Sequence, residues 1–313
     1  MIDALQISRY RRFLTSHIKA VHHVQNIVVT SNCQTAGVAL SLKAMLPDAS
    51  INIALLAAPG GNGFEELQQA VGGADVWVTS AGNNVISAIE TQAQLIRIPQ
   101  VEFEAFHPDI VYVNNSEGRH LTGVCRSDYH SYIALWSFQN RLSVDRCELM
   151  FNEKTFQRIG YLDRWEASVS KLRKRFEPID VGFDDFFRHL VHAGPFMHTI
   201  NHPTGLAMVQ LSRLVARKLG GDESLISAPL ERTLQDTLAT GSVWPVYPAI
   251  AQRFGIDGSY TWKIGPDTFF PTLRSYLEES YRVYEASNAY EWRCPRLDDA
   301  DLNAAMREMA GMQ

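Results

Sequence analysis

A cysteine flanked by two amide side chains is the first place where this sequence could carry chemistry. Cys33 stands between Asn32 and Gln34, after the apolar run Ile27–Val29 and before a helix-like segment. At such a helix N-terminus, unpaired N–H groups and the helix dipole stabilise a thiolate. A thiolate is a nucleophile, and the neighbouring amides could orient a carbonyl or bind an oxyanion. The alternative interpretation is a buried structural cysteine.

A catalytic thiol needs a base, and two segments offer a histidine. His202 lies in GPFMHTINHPTG, residues 194–205, directly before Pro203. The residue before a proline is disfavoured in a helix, so we expect His202 in a loop. The segment SDYHS contains Asp128 and His130 before a helix-like run, with an N-cap role for Asp128 or Ser127 as the alternative. Both histidines remain candidates for the base.

Small polar residues follow another apolar run. In VTSAGNN, Gly82 permits close backbone approach, and Asn83 could donate to a developing negative charge. A simple turn is the alternative, and it is the favoured one for this motif by itself. The histidine spacing fits no zinc motif and HExxH is absent, so we predict no metal site.

The elements that must position these residues alternate regularly through the first 115 residues. The expected strands are Ile27–Val29, Ile51–Ala57, Val76–Thr79, Leu95–Val101 and Asp109–Asn115. Short apolar strands that alternate with helices predict a parallel sheet covered on both faces, hence an open, doubly wound α/β core with three layers. Ligands of such sheets bind beyond the carboxyl ends of the strands, where the cysteine and glycine–asparagine motifs would lie.

The pattern becomes mainly helical after residue 130. We therefore predict a helical segment over residues 1–25 and an α/β core with the cysteine corner over 26–130. A mainly helical part, residues 131–313, would pack on that core and supply the late histidine loop.

Composition limits the class of protein. The net charge of −5 argues against a nucleic-acid partner. The four separated cysteines form no CxxC pair and favour a reducing cytoplasm. The first 25 residues lack the apolar region of a signal peptide, and no apolar run is long enough for a membrane span. We expect a cytoplasmic protein. A solvated helix is favoured for its basic N-terminal segment, with contact to a membrane surface as the alternative.

The order of the motifs resembles the layout of SGNH-type hydrolases and acyltransferases. In that layout a nucleophile, a glycine and an asparagine follow successive strands, and a histidine comes late. The matching positions here are Cys33, Gly60 or Gly61, Asn83 and His202. Cysteine replaces the usual serine, and Thr199 stands where the acidic partner of the late histidine is expected.

A closer resemblance is to the WcbI-type family of capsular polysaccharide biosynthesis proteins. It is carried by SNCQ, DYHS and NHPTG, which spread over about residues 26–220. The resemblance implies a bacterial enzyme that binds coenzyme A and acetylates a capsule sugar, with a sugar nucleotide, glycolipid or polysaccharide as acceptor and peripheral contact with the capsule machinery. The implied site residues are Asn32, Cys33, Gln34, Asp128, Tyr129, His130, Ser131, Asn201 and His202.

Acetyl transfer from acetyl-CoA to a sugar hydroxyl needs a base for the hydroxyl and donors for the oxyanion. Cys33 could carry the acyl group in two steps or line the pocket in a direct transfer. The anionic ADP end of coenzyme A needs cations, and position in the chain favours Arg119, followed by Lys154 and Arg158.

Two other functions compete with this one. The first is a cysteine-based esterase or thioesterase on the same scaffold. The second is a non-catalytic carbohydrate-binding subunit of capsule assembly, whose tryptophans would stack on sugars. The six tryptophans are more simply explained by packing.

Overall fold

The computed structural model describes residues 25–115, 117–124 and 128–312. The helical segment predicted for residues 1–25 therefore lies outside the described residues, apart from Gln25.

Four parallel strands form the central sheet. They are β1 (Asn26–Thr30), β2 (Ser50–Ile53), β3 (Val76–Thr79) and β4 (Gln94–Arg97), in the order β2-β1-β3-β4. Because β1 lies in the interior and the chain winds outward in both directions, the sheet is doubly wound, which confirms the predicted fold class.

The side chains of β1 alternate between the two faces of the sheet. Ile27 and Val29 belong to the larger buried cluster, together with residues of α1 (Thr35–Met45). Val28 belongs to a second cluster on the opposite face, against α2 (Phe64–Gly72). Both faces are thus covered by helices, and each fully buried side chain of this size contributes about 1.5–3 kcal/mol.

The helix that follows the late histidine loop, α9 (Gly205–Lys218), packs directly on α1. Gly37 makes this approach close, because a Cβ at that position would lie 2.9 Å from Cγ of Met208. The crossing of the two helices brings the late loop to the cysteine corner.

The fifth predicted strand does not join the parallel sheet, so that part of the prediction is wrong. β5 (Ile110–Tyr112) pairs antiparallel with β6 (Tyr129–Ser131), and Tyr112 lies opposite Tyr129. An apolar run signals burial but does not identify its neighbour, and none of the described residues between β5 and β6 forms the crossover helix that a parallel pair needs. β7 (Trp262–Lys263) and β8 (Phe269–Phe270) form a further antiparallel pair.

Helices dominate from residue 132 onward. With the short helix that follows β3, the remaining helices are α3 (Asn83–Ile86), α4 (Tyr132–Gln139), α5 (Val144–Glu148), α6 (Glu153–Arg158), α7 (Trp165–Phe176), α8 (Phe183–Leu190), α10 (Glu223–Ile226), α11 (Pro248–Phe254), α12 (Leu273–Ala286) and α13 (Ala300–Ala310). The larger buried cluster includes Val29 of the sheet as well as Leu172 and Met306 of this helical part, so one core runs through both. The three-part division of the chain stays a prediction.

Five of the six tryptophans are almost completely buried, which agrees with a packing role. Within the part of the chain that the structure describes, none of the helices has the length and apolarity needed to cross a membrane.

Candidate active site

The chain leaves β1 through a corner whose backbone groups form hydrogen bonds within the corner itself. The Ser31 amide donates to Oγ1 of Thr35 at 2.8 Å, and this hydroxyl donates to the Asn32 carbonyl at 2.8 Å. The Gln34 amide donates to Oδ1 of Asn32 at 3.1 Å. These bonds hold the corner rigid and leave Cys33 exposed at its apex.

Gln34 joins the corner to two other segments. Its Oε1 accepts from the Val101 amide at 3.1 Å, and its Nε2 donates to the Val101 carbonyl at 3.1 Å. Nε2 also lies 3.4 Å from the Asn201 carbonyl. The Gln34 amide group is therefore a buried clamp, and these bonds use both its donor and its acceptor.

The late histidine loop is a tight reversal before α9. The His198 amide donates to the His202 carbonyl at 2.7 Å, and Met197 and Pro203 form an antiparallel bridge. The His202 amide donates to Oγ1 of Thr199 at 3.2 Å. His202 lies outside every helix and strand, as the following proline predicted.

A hydrogen-bond network connects this loop to the β5–β6 pair. The Tyr129 hydroxyl donates to Oδ1 of Asn201 and lies 3.3 Å from Nε2 of His202. Nδ2 of Asn201 donates to the Tyr112 hydroxyl at 2.8 Å. Thr199 Oγ1 lies 3.2 Å from Asn201 Oδ1 and 3.3 Å from the Tyr129 hydroxyl. The loop side chains are thus fixed by two tyrosines of the small sheet.

The Cys33 thiol meets this network at the backbone of Asn201. Its Sγ lies 4.0 Å from the Asn201 carbonyl oxygen. No hydrogen bond joins Cys33 to a histidine within the described ranges. The structure therefore brings the cysteine corner beside the His202 loop without forming a thiol–imidazole pair.

His202 has the protonation state that a base requires. Burial lowers its pKa below the usual 6.5, and the nearby charge of His198 lowers it further. Its Nδ1 is buried without a hydrogen-bond partner among the described residues. The imidazole is therefore neutral at neutral pH and can accept a proton.

The thiol departs from the sequence-based expectation. Partial burial raises the pKa of Cys33 above its usual value, and the hydrogen bond from its own backbone amide offsets only part of this shift. Desolvation of the thiol therefore opposes the thiolate that its place before a helix favours. At neutral pH the side chain is a protonated thiol.

A histidine–aspartate hydrogen bond that the sequence analysis missed supports the late loop. Nε2 of His198 lies 2.8 Å from Oδ2 of Asp236, and the same oxygen accepts from the Gly205 amide at 2.7 Å. Burial opposes ionisation of this carboxyl, but the hydrogen bonds from His198 and Gly205 hold its pKa below the usual value. Asp236 is 34 positions beyond His202, and no local pattern in ERTLQDTLAT marked it.

The structure places the SDYHS residues in different surroundings. Tyr129 enters the network, whereas His130 is buried with its Nε2 2.9 Å from the Leu121 carbonyl and its ring against Tyr284 and Trp292. Burial lowers the pKa of His130 to about 4. Successive residues of a strand point to opposite faces, which separates the two side chains.

The helix cap of this segment is Ser131, whose hydroxyl accepts from the Ala134 amide. The N-cap role considered for Asp128 is therefore wrong, because the chain is still extended at Tyr129–Ser131 and the helix begins only after Ser131. Asp128 itself is exposed.

Two of the three predicted cations, Arg119 and Arg158, form ion pairs with other residues. Arg119 pairs with Glu117 in an exposed loop. Lys154 and Arg158 lie on α6, where Arg158 pairs with Glu308 at 2.8 Å. These contacts do not join them to the cysteine corner, and their role in binding a cofactor stays a prediction.

The Gly82–Asn83 motif lies at the carboxyl end of β3, as predicted. Gly82 borders an open cleft of about 370 Å³ between the ends of β3 and β4. Asn83 accepts a hydrogen bond from the Arg97 guanidinium at 2.7 Å, and its amide oxygen is thereby engaged.

Comparison with known proteins gives two matches. The family model of the polysaccharide biosynthesis enzyme WcbI matches residues 26–224. A solved structure of WcbI, called a novel polysaccharide biosynthesis enzyme, is similar with a TM-score of 0.67 at 16% identity over 92% of this chain and 96% of that one. That structure is the native protein without a disulfide bond between coenzyme A and a cysteine. No curated protein matches the chain.

Proposed function

Because the chain belongs to the WcbI family of polysaccharide biosynthesis enzymes, we propose that it is a coenzyme A-dependent O-acetyltransferase that acts on a sugar of a capsular polysaccharide or its precursor. Family membership confirms the resemblance carried by the three sequence motifs. What we propose beyond family membership is the acetyl donor, the acceptor and the residues of the site.

The observation that carries the proposal is an exposed thiol beside the loop that contains the neutral side chain of His202. Cys33 is exposed, whereas the other described cysteines, Cys147 and Cys294, are buried. The solved WcbI structure is described as the native protein without a disulfide bond between coenzyme A and one of its cysteines, which links that group with a cysteine in the neighbour. Of the described cysteines in this chain, Cys33 is the one that the thiol of coenzyme A could reach, so the residues at the corner fit that group.

His202 is the proposed base. Acetyl-CoA supplies an activated acetyl thioester, and the sugar hydroxyl must lose a proton as it attacks. The neutral His202 imidazole accepts this proton, and Tyr129 and Thr199 hold the loop that presents it. As the sugar oxygen bonds to the acetyl carbon, the carbon–sulfur bond breaks, and the coenzyme A thiolate that leaves takes the proton from His202. His130 is buried against Tyr284 and Trp292, so it is the weaker candidate.

Cys33 lines the thioester site in this mechanism and carries no acyl group. A protonated thiol is a poor nucleophile, and no base within the described residues is hydrogen-bonded to Cys33. Asn32 is the proposed oxyanion donor. Its Oδ1 is engaged by the Gln34 amide, which orients the side chain, and none of the described hydrogen bonds uses its Nδ2.

The proposal is tested by calorimetric titration with coenzyme A, followed by acetyl-transfer assays. We expect micromolar binding to the wild type and weaker binding to Cys33→Ala. His202→Ala should bind coenzyme A normally and lose at least about 100-fold in acetyl-transfer rate, the usual contribution of general base catalysis.

Each alternative has its own signature in the same assays. Rapid release of acetate without transfer to a sugar would favour the esterase or thioesterase. Absence of coenzyme A binding at millimolar concentration would contradict the transferase and favour a non-catalytic subunit.

A further inference from the structure

The mechanism above leaves the cleft between the ends of β3 and β4 without a role. The cleft encloses about 370 Å³ and is lined by Ser80, Gly82, Arg97, Gln100 and Arg175, among others. It lies at the carboxyl edge of the sheet, where ligands of open parallel sheets bind. We propose that this cleft binds the diphosphate of the acceptor, so that the acceptor is a sugar carried on a diphosphate.

Arg97 is the cation that anchors the ligand. Its Nη2 donates to Oδ1 of Asn83 at 2.7 Å, and this partner is a neutral amide. No carboxylate of the described residues forms an ion pair with the Arg97 guanidinium. Its remaining N–H groups form a planar fork that matches two phosphate oxygens.

The carboxylates beside the cleft are already neutralised. Glu102 pairs with Arg175 and lies 3.8 Å from Nζ of Lys171. Asp180 accepts from the Arg97 amide at 2.8 Å and lies 3.7 Å from Nζ of Lys218. Each negative group is therefore compensated by a cation other than the Arg97 side chain, whose charge remains for an anion.

The near edge of the cleft lies beside the cysteine corner. Ser80 borders the cleft, and its Oγ lies 2.8 Å from Oγ of Ser31. Ser31 and Cys33 are two residues apart, so their Cα atoms are separated by at most about 7.6 Å.

An acceptor that carries its hydroxyl and its anomeric diphosphate on one sugar ring places these two groups a short distance apart. In coenzyme A, the much longer pantetheine arm separates the thioester from the diphosphate. The acceptor therefore fits the cleft better than the donor does. This assignment rests on the proposed function, since it takes the corner as the site of acetyl transfer.

A sugar diphosphate can be carried on a nucleoside or on a lipid, and both present the same group to Arg97. Three probes separate these cases. Inorganic pyrophosphate tests the shared diphosphate, UDP-glucose tests the nucleoside carrier, and farnesyl diphosphate tests the lipid carrier. Each is titrated calorimetrically into the full chain, with coenzyme A titrated separately. The variants are Arg97→Gln and the control Arg282→Gln, which removes an exposed arginine from α12.

We expect pyrophosphate to bind the wild type, and Arg97→Gln to weaken this binding roughly ten- to hundredfold, as for the loss of hydrogen bonds to a charged group. Arg282→Gln should stay within about twofold, and coenzyme A affinity should be the same in all three proteins. The carrier is identified by whether UDP-glucose or farnesyl diphosphate binds the wild type with the higher affinity. Arg97→Lys keeps the charge but loses the fork, so it should give intermediate affinity and serves if the glutamine variant fails to fold.

Unchanged pyrophosphate binding in Arg97→Gln and Arg97→Lys, or no pyrophosphate binding to the wild type, would overturn the assignment. A parallel loss of coenzyme A affinity would overturn it as well, because the cleft would then belong to the donor. Failure of the wild type to bind coenzyme A would count against the proposed function itself, and this outcome is measured in a separate titration.

Discussion

The buried clamp formed by Gln34 predicts a pH-dependent loss of stability in Gln34→Glu. The Gln34 side chain is 1% exposed, and its Nε2 serves two carbonyl oxygens, of Val101 at 3.1 Å and Asn201 at 3.4 Å. An ionised glutamate still accepts from the Val101 amide but leaves both carbonyls without their donor. A buried acceptor that loses its partner costs about 1–3 kcal/mol. Because the contact with Asn201 is long, we expect about 2–4 kcal/mol in total.

The loss in the free energy of unfolding of Gln34→Glu should increase with pH. Burial among carbonyls raises the pKa of the new carboxyl in the folded state above its unfolded value of about 4.3. A protonated carboxyl can donate to the Val101 carbonyl again. The ionisation penalty is therefore absent below the unfolded pKa and grows as the pH rises toward the folded pKa.

Urea unfolding followed by tryptophan fluorescence at pH 5 and pH 8 measures both effects. The control is Gln68→Glu at an exposed position of α2, which should change the free energy of unfolding by less than about 0.5 kcal/mol. Equal destabilisation of Gln34→Glu at the two pH values, or a loss no larger than that of the control, would refute the clamp.

Three further predictions concern the core, the base and the thiol. Asp109→Asn should lower the free energy of unfolding by about 2–4 kcal/mol in urea titrations, because the buried carboxylate accepts from Tyr161 at 2.9 Å and Tyr247 at 2.8 Å and an amide has one acceptor oxygen. Initial acetyl-transfer rates should follow the neutral fraction of the His202 imidazole and reach half of their maximum at a pH below 6.5, since burial lowers its pKa; a half-maximal rate at a pH above 6.5 would contradict this assignment. Iodoacetamide should label Cys33 of the native protein slowly, owing to its raised pKa, and coenzyme A should protect it, as measured by mass spectrometry of peptides.

Apolar patterning was enough to predict the four strands of the parallel sheet, but it did not predict where the strands end or that the fifth strand lies outside the sheet. The runs that begin near Ile27, Ile51, Val76 and Leu95 all became strands of one sheet. The expected extensions of β2 to Ala57 and of β4 to Val101 are absent. β4 ends at Arg97, before Pro99, which lacks the N–H that a strand ladder uses. The run at Asp109–Asn115 is equally apolar, but its partner is β6, and a pattern within one segment contains no information about pairing.

The site shows the same division between local and long-range information. Asn32, Cys33 and Gln34 are adjacent in sequence, so their shared corner could be predicted from the change of strand to helix. The partners of Asn201 are Tyr112 and Tyr129, which lie 89 and 72 positions away. Their proximity depends on how the small sheet and α9 pack on the core, and that is a property of the tertiary structure.

The protonated thiol of Cys33 shows why position at a helix N-terminus is insufficient to activate a cysteine. A thiolate there needs N–H groups that are free to face it. In this corner the Gln34 amide is taken by Oδ1 of Asn32 at 3.1 Å, and the Thr35 amide by the Asn32 carbonyl at 3.1 Å. The sulfur also lies 4.0 Å from the Asn201 carbonyl oxygen, whose negative end opposes ionisation. Asn32 thus competes with the thiol for the donors of the helix start, so Asn32→Ala should lower the pKa of Cys33. Faster iodoacetamide labelling of Cys33 in that variant would support this reasoning, and an unchanged rate would show that desolvation alone sets the pKa.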